Sequence, residues 1–393
     1  MGLKIYASLI DEVTKKQIDG LANHNVYKNM RIRIMPDCHA GKGCTVGTTI
    51  NLGTYNYVTP NLVGVDIGCG MLTIKLKDTL VNLERFDKVV HEVIPSGFDV
   101  QENPHEFVEK YNVREILGSL YCKGKADIGR AILSIGTLGG GNHFIELAKG
   151  HDGSIYLIIH TGSRNLGVGV CKYYQSLVEI ENDGSEVRRA IIEKLKSENR
   201  QSEIEYAIKQ IKVDKRSELD GISGENYSNY LNDMKSTQRF ASINRLAIAE
   251  SILTKYYGIS LEEHEYFETV HNYIGYDNIL RKGAISAYEG VKCLIPLNMR
   301  DGSLICIGKG NKEWNYSAPH GAGRIMSRTE AKRKVSLSNF KETMKDVYST
   351  CVNESTLDES PFAYKSMDYI IPLIKETVDV IERIKPIYNF KAN

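Results

Sequence analysis

The 393-residue chain has no paired CxxC motif, no Gly-Lys-Ser/Thr phosphate loop and no GxGxxG stretch in a strand-to-helix setting. It also has no run of ~18 apolar residues. Each absence closes a class. Without CxxC pairs, a structural zinc ribbon or finger is disfavoured. Without the phosphate loop or the dinucleotide fingerprint, neither a Walker-type NTPase nor a Rossmann dehydrogenase is expected. No membrane span is expected, and the start MGLKIYASLIDEVTKKQ lacks the basic-then-apolar pattern of a secretory signal. Basic surplus is missing too: 50 Lys and Arg face 49 Asp and Glu. A protein that coats nucleic acid through bulk charge is therefore disfavoured, and any RNA contact must come from a local patch. The eight cysteines are scattered at 38, 44, 69, 122, 171, 293, 306 and 351 without disulfide-framework spacing. They read as free thiols of a cytoplasmic protein, most of them small core residues.

What is present is an ordinary globular composition, 42% hydrophobic and 25% charged, with no repeat, low-complexity tract or linker. A single compact α+β domain over 1–393 is expected, with mixed, largely antiparallel sheets and peripheral helices. Alternation at 31–35 (RIRIM) and 71–76 (MLTIKL) predicts strands. The apolar run 155–159 (IYLII) predicts a buried strand that delivers His160 at its end, and further strands are expected at 290–296 and 303–307. From about 172 to 256 the chain turns charged and helical in pattern, with exposed helices over 186–215 and a buried one over 240–257. In the tail, Met367, Ile370, Ile374, Val378, Ile381 and Ile384 recur at three- and four-residue steps. That spacing predicts an amphipathic helix over 367–384, ended by Pro386.

Four histidines stand in turn-like surroundings, three of them glycine-rich: Gly-Gly-Asn-His143, His160-Thr-Gly-Ser-Arg164, His271-Asn272 and His320-Gly-Ala-Gly-Arg324. Glycine lets the backbone approach a ligand closely, so such histidines are presented rather than packed. In Val-Asp66-Ile-Gly-Cys69-Gly a hard oxygen donor and a soft thiolate stand three residues apart in a turn. Alone, that segment fits a plain turn with a buried cysteine. With His143, His160 and His271 available, the set reads as a catalytic centre for Zn, Mn, Fe or Co. His320 differs in kind. Its loop can offer backbone N–H groups to phosphate oxygens and Arg324 as a bidentate partner, which makes His320 a candidate nucleophile for phosphoryl or nucleotidyl transfer. Arg164 is a second arginine available to a substrate phosphate. The glycine-rich 136–141 stretch leads into Asn142 and His143. Asp37, in the polar turn expected over 36–43, fits a residue behind the metals, a proton carrier or a turn cap.

Nine segments, in order and spanning nearly the whole chain, resemble the RtcB family of RNA-splicing and RNA-repair ligases. They are MPDCHAGKG, VGVDIGCGM, GTLGGGNHFIE, HTGSR, FASINR, HNY, RKGAISA, SAPHGAGRIMSRTEAK and AYK. The resemblance implies joining of an RNA 2′,3′-cyclic phosphate or 3′-phosphate end to a 5′-hydroxyl end, with GTP and two Mn²⁺ ions. Asp66, Cys69 and His143 would hold one ion, and Cys69, His160 and His271 the other. His320 would become covalently guanylylated. Nucleotide contacts would come from Asn142, His143, Glu146, Asn272, the segment of His320, Gly321, Ala322 and Gly323, and Lys391, with Phe144 and Tyr364 flanking the base. The chain departs from the family pattern where Pro296-Leu297-Asn298-Met299 replaces Pro-Gly-Ser-Met. Pro296, Asn298, Met299 and Ser303 are nonetheless expected to contact the nucleotide. The implied partners are RNA ends and GTP, with no membrane. A dinuclear phosphatase or cyclic phosphodiesterase would share the metal ligands without needing a histidine nucleophile.

Overall fold

Seven segments pair edge to edge into one antiparallel sheet. In spatial order they are Lys292–Asn298, Gly302–Gly308, Val378–Lys391, Phe144–Lys149, Ile155–Thr161, Gly70–Lys75 and Glu265–Val270. The computed structural model describes residues 2–77, 79–181, 185–210 and 217–392. A second sheet has five strands: Gly2–Ile5, Arg31–His39, Val46–Asn51, Ile279–Lys282 and Asn272–Ile274. Its first pair is parallel and the rest antiparallel, so the expected mixed, largely antiparallel α+β class holds.

Ile155–Thr161 is buried along its whole length, as a central strand covered on both faces must be. One face of the seven-stranded sheet, carrying Leu72, Ile74, Ile145, Leu147, Leu157 and Ile159, packs against Ile248, Ile252 and Leu253 of the 34-residue helix Gly224–Tyr257. The other face carries Met71, Phe144, Ile158 and Ile384 toward the site described below. The long helix closes on Gly258 at φ 73°, the left-handed cap that glycine adopts readily. Its buried middle agrees with the helix expected over 240–257. The charged region instead begins with helix Arg164–Glu181, followed by Ser185–Ser197 and Ile204–Lys209. The end of the 186–215 expectation lies outside the described residues. Among the described residues no helix is long and apolar enough to cross a membrane.

Two expectations are corrected. The 31–35 strand runs on to His39, so Asp37 sits in a strand rather than a turn. The 367–384 stretch is not one helix: Met367–Ile374 is helical and Val378–Lys391 is a strand. Val378, Val380, Ile381 and Ile384 are β-branched, and pairing with 302–308 on one edge and 144–149 on the other outweighs the helical spacing. Pro386 does not end an element. It lies where the register shifts between Pro386 and Tyr388, a bulge that spares it a ladder bond. The bulge also exchanges the faces. Ile384 packs with Met71 and Phe144, whereas Tyr388 and Phe390 pack on the opposite face. Asn389 and Lys391 therefore turn toward the side of Phe144 and Glu146.

Candidate functional site

The metal-ligand candidates come from four separate segments, and the long helix holds those segments together. Arg245, fully buried, donates through Nη1 to the carbonyls of Gly68 and Thr161, both at 2.9 Å, and through Nε to Glu268 at 2.8 Å. Asn244 accepts from the backbone N–H groups of Gly136 and Thr137 and donates to the carbonyls of Thr137 and Gly162. One Asn-Arg pair thus braces the loops that carry Cys69, His143 and His160. The His271 N–H donates to the Cys69 carbonyl at 2.9 Å, which adds the fourth segment.

The side chains lie in two overlapping groups. Asp66, Cys69 and His143 form one group and Cys69, His160 and His271 another, with the ligand atoms of each within 4.8 Å of one another. Cys69 Sγ lies 3.6 Å from His143 Nε2 and 3.3 Å from His160 Nε2, while Asp66 Oδ2 lies 2.9 Å from His143 Nε2. A carbonyl oxygen only accepts. The contacts of His143 Nδ1 with Leu138 O (3.0 Å) and of His160 Nδ1 with Asn142 O (3.2 Å) therefore put a proton on Nδ1 of each ring and leave Nε2 as the atom facing Cys69. At Gly162 an added Cβ would fall inside contact distance of Asp66 Oδ1, so only glycine lets this carboxylate close against the loop.

The donor chemistry fits divalent cations. Burial holds His160 and His271 well below the usual histidine range, which keeps them neutral and able to ligate. Burial raises the Asp66 carboxyl, but His143 overrides it and brings it down to about 2. Burial, with Asp66 adjacent, pushes the Cys69 thiol well up, so a cation is what would make the thiolate favourable. Among the described residues His271 Nδ1 is buried without a hydrogen-bond partner. The other seven cysteines are free and buried, as expected of core residues.

His320 stands beside this cluster, its ring 4.9 Å from that of His271. The fully buried Asp37 accepts from His320 Nδ1 at 2.7 Å and from the His320 backbone N–H at 3.2 Å. Gly323, at φ 75°, presses on the Asp37 carbonyl where any Cβ would clash, and so seats the His320 loop on the Asp37 strand. Asp37 thus backs the histidine; its contact is with His320 rather than with a metal ligand. With Nδ1 so engaged, Nε2 points the opposite way across the ring.

Two cavities meet at His320. The larger, of about 870 Å³, is bordered by all the residues expected to contact a nucleotide except His143 and Asn272. Phe144 lies under Lys391 Nζ at 5.3 Å, and the Arg324 guanidinium lies 5.1 Å from the Tyr364 ring. The smaller, of about 260 Å³, is bordered by Asp66, Cys69, His271, Asn272, Lys42 and Lys282. Asn142, His39 and His320 border both. Asn272 accepts from the Gly283 N–H and donates to the Asp66 carbonyl. Lys391 is ordered in the sheet and paired with Glu359 at 2.8 Å. Burial raises the Glu359 carboxyl, but Lys391, Arg328 and Arg324 together hold it at about 2. Arg324 borders the larger cavity while bonding the carbonyls of Met326 and Asp358. Arg164 borders neither; it donates to Thr137 Oγ1 and Gly97 O, bracing the 136–141 loop. Leu297, where the chain departs from the family pattern, is buried with Ile285, Ile295 and Ala322 and still borders the larger cavity.

Sequence reasoning passed over Asn244, Arg245, Glu359 and Asn389. The first two stand in the FASINR segment, where a polar Asn-Arg pair inside an apolar helical stretch was the available signal. Asn389 stands two residues before Lys391, on the same face of a strand.

The fold and site define an α+β protein with an Asp-Cys-His cluster that could hold a metal ion, beside two cavities that meet at His320. The chain belongs to the RtcB family: the family model described as tRNA-splicing ligase RtcB matches residues 17–392. It is 29% identical to the RNA-splicing ligase RtcB of Escherichia coli strain K12, over 92% of this chain and 90% of that protein. Identity is 26% to the tRNA-splicing ligase RtcB of Aeropyrum pernix, over 86% and 82% of the two chains, and 25% to that of Archaeoglobus fulgidus, over 98% and 92%.

Proposed function

We propose that this protein is a GTP-dependent RNA ligase that joins a 2′,3′-cyclic phosphate or 3′-phosphate end to a 5′-hydroxyl end, in tRNA splicing or RNA repair. The observation that carries this reading is the Asp37–His320 pair on the wall between a nucleotide-sized cavity and the metal-ligand cluster. The chain acts as one ligase domain, and its eight free, buried thiols suit the reducing cytoplasm. Asp66, Cys69, His143, His160 and His271 would hold two Mn²⁺ ions, whose charge, when bound, would offset that of the transferring phosphoryl group.

His320 supplies the nucleophile. Asp37 keeps the proton on Nδ1, so the Nε2 lone pair attacks the α-phosphorus of GTP; the N–P bond forms and the bond to pyrophosphate breaks. Asn142, Phe144, Glu146, Ser303, Tyr364, Lys391 and the loop around Gly321 hold the guanylate, with Pro296, Asn298 and Met299 closing one side. A 2′,3′-cyclic end is first opened by water, which adds to phosphorus as the P–O2′ bond breaks and the 2′-oxygen takes a proton; in the second transfer an oxygen of the RNA 3′-phosphate attacks the guanylate phosphorus, and the N–P electron pair returns to Nε2. The 5′-hydroxyl then attacks the activated RNA phosphate, loses its proton and expels GMP. Of Arg164 and Arg324, only Arg324 borders a cavity that a substrate phosphate could enter.

RNA with a 2′,3′-cyclic phosphate end, incubated with a 5′-hydroxyl RNA, GTP and Mn²⁺, is expected to give a joined product on a denaturing gel. Free 3′-phosphate as the sole product would overturn ligation in favour of a phosphodiesterase. Asp37→Asn places an amide against Nδ1 and favours the wrong tautomer. We expect label transfer from α-labelled GTP to fall about 100- to 10,000-fold, with metal content unchanged. A variant that labels at the wild-type rate would remove Asp37 from the scheme.

A further inference from the structure

We infer that Asn389 is a specificity-determining residue of the larger cavity: together with Glu146 it reads the hydrogen-bond donor edge of a purine bearing a 2-amino group. The inference rests on the ligase reading above and names how its nucleotide is chosen. Three residues that border this cavity each carry a polar atom buried without a hydrogen-bond partner among the described residues: Glu146 Oε1, Asn389 Oδ1 and Ser303 Oγ. Their residues are only 2%, 1% and 1% exposed, so bulk water does not satisfy them. Buried polar atoms without partners are rare in folded proteins, and in a cavity wall they point to a ligand.

The backbone sets the pair. Glu146 and Asn389 are register partners on adjacent antiparallel strands, which brings their side chains side by side. The bulge between Pro386 and Tyr388 turns Asn389 to the cavity side; without that extra residue it would face the opposite core. Asn389 Nδ2 donates to Glu146 Oε2 at 2.9 Å. With Glu146 ionised, its carboxylate only accepts, so this contact sets the amide orientation and leaves Oδ1 as a second acceptor. Burial pushes the Glu146 carboxyl up to about 8 against the opposing pull of Asn389 and Lys391. Donors from Asn389 and from a ligand are therefore what hold it ionised.

The wall thus offers Glu146 Oε1 and Asn389 Oδ1 as adjacent acceptors, with the Ser303 hydroxyl able to play either part. Its complement is a base edge carrying adjacent N–H donors. Guanine has N1–H and a 2-amino group there. Hypoxanthine keeps N1–H and lacks the amine. Adenine sets an N1 lone pair against the carboxylate. Asn389 accounts for the difference between the first two.

The test compares label transfer to the protein from α-labelled GTP and α-labelled inosine triphosphate in Mn²⁺, with KM and kcat read separately and thermal unfolding measured on each variant. For the wild-type chain, kcat/KM is expected to favour GTP by about 10- to 100-fold. In Asn389→Ala the ratio is expected to narrow to within about threefold, through a raised KM for GTP. Asn389→Leu, branched at Cγ like asparagine but without an acceptor, gives the same reading if the alanine variant does not fold. A folded variant that keeps the wild-type ratio overturns the inference, and so does a wild-type chain that uses both nucleotides equally. Failure of the underlying reading looks different: the wild-type chain then takes label from neither nucleotide, and the inference falls with it.

Discussion

His320→Ala is expected to take up no label from α-labelled GTP in Mn²⁺, a loss of at least about 10,000-fold relative to the wild-type chain. The size of the effect follows from the geometry. His320 borders both cavities, its Nδ1 is engaged by Asp37, and its free nitrogen points away from that carboxylate. Removing the ring removes the atom to which the guanylate would be bound, and no neighbour is set to replace it. His39, also on the shared wall, has the Asp37 carbonyl rather than a carboxylate behind its Nδ1, so it lacks the support that His320 has for the positive charge formed on attack. The same variant is expected to keep its metal content, because His320 belongs to neither ligand group. Autoradiography of the denatured protein and elemental analysis of the native one measure the two halves. Normal labelling of His320→Ala would remove the nucleophile assignment. Lost metal together with lost labelling would make His320 a ligand instead.

Cys69→Ala is expected to empty both metal positions at once. Its Sγ is the atom common to the two groups, 3.6 Å from His143 Nε2 and 3.3 Å from His160 Nε2. Loss of an outer-shell partner typically costs about 10- to 100-fold in metal affinity, and loss of a shared ligand should exceed that for each ion. Elemental analysis after dialysis should show Cys69→Ala with little Mn²⁺, and ligation should disappear with it. His143→Ala, which touches one group, should keep about one ion per chain. One full equivalent retained in Cys69→Ala would mean that the thiolate is not shared.

These expectations show how unevenly the site could be read from the chain. The ligands were legible because all but His271 lie in or beside a glycine-rich segment, and the chemistry of Asp, Cys and His restricts what such segments do. Their mutual support was not. Arg245 reaches the carbonyls of Gly68 and Thr161, 177 and 84 residues away, and only the folded sheet brings those together. The partner of His320 was hidden for the same reason, since Asp37 stands 283 residues earlier, and an aspartate near glycines reads locally as a turn cap. In the tail, apolar residues at 367–384 satisfy a helical period, yet β-branched residues paired on both edges make most of it a strand. Face assignments after Pro386 depend on one bulged residue, which no periodicity reveals. That is why Lys391 could be singled out by resemblance while Asn389, two positions before it, could not.

The most direct test of the account is peptide mapping by mass spectrometry after incubation with GTP and Mn²⁺. We expect one added guanylate on the peptide containing His320, with the bond stable to alkali and broken by acid. An unmodified His320 peptide from a chain that ligates RNA, or a guanylate on another residue, would contradict it.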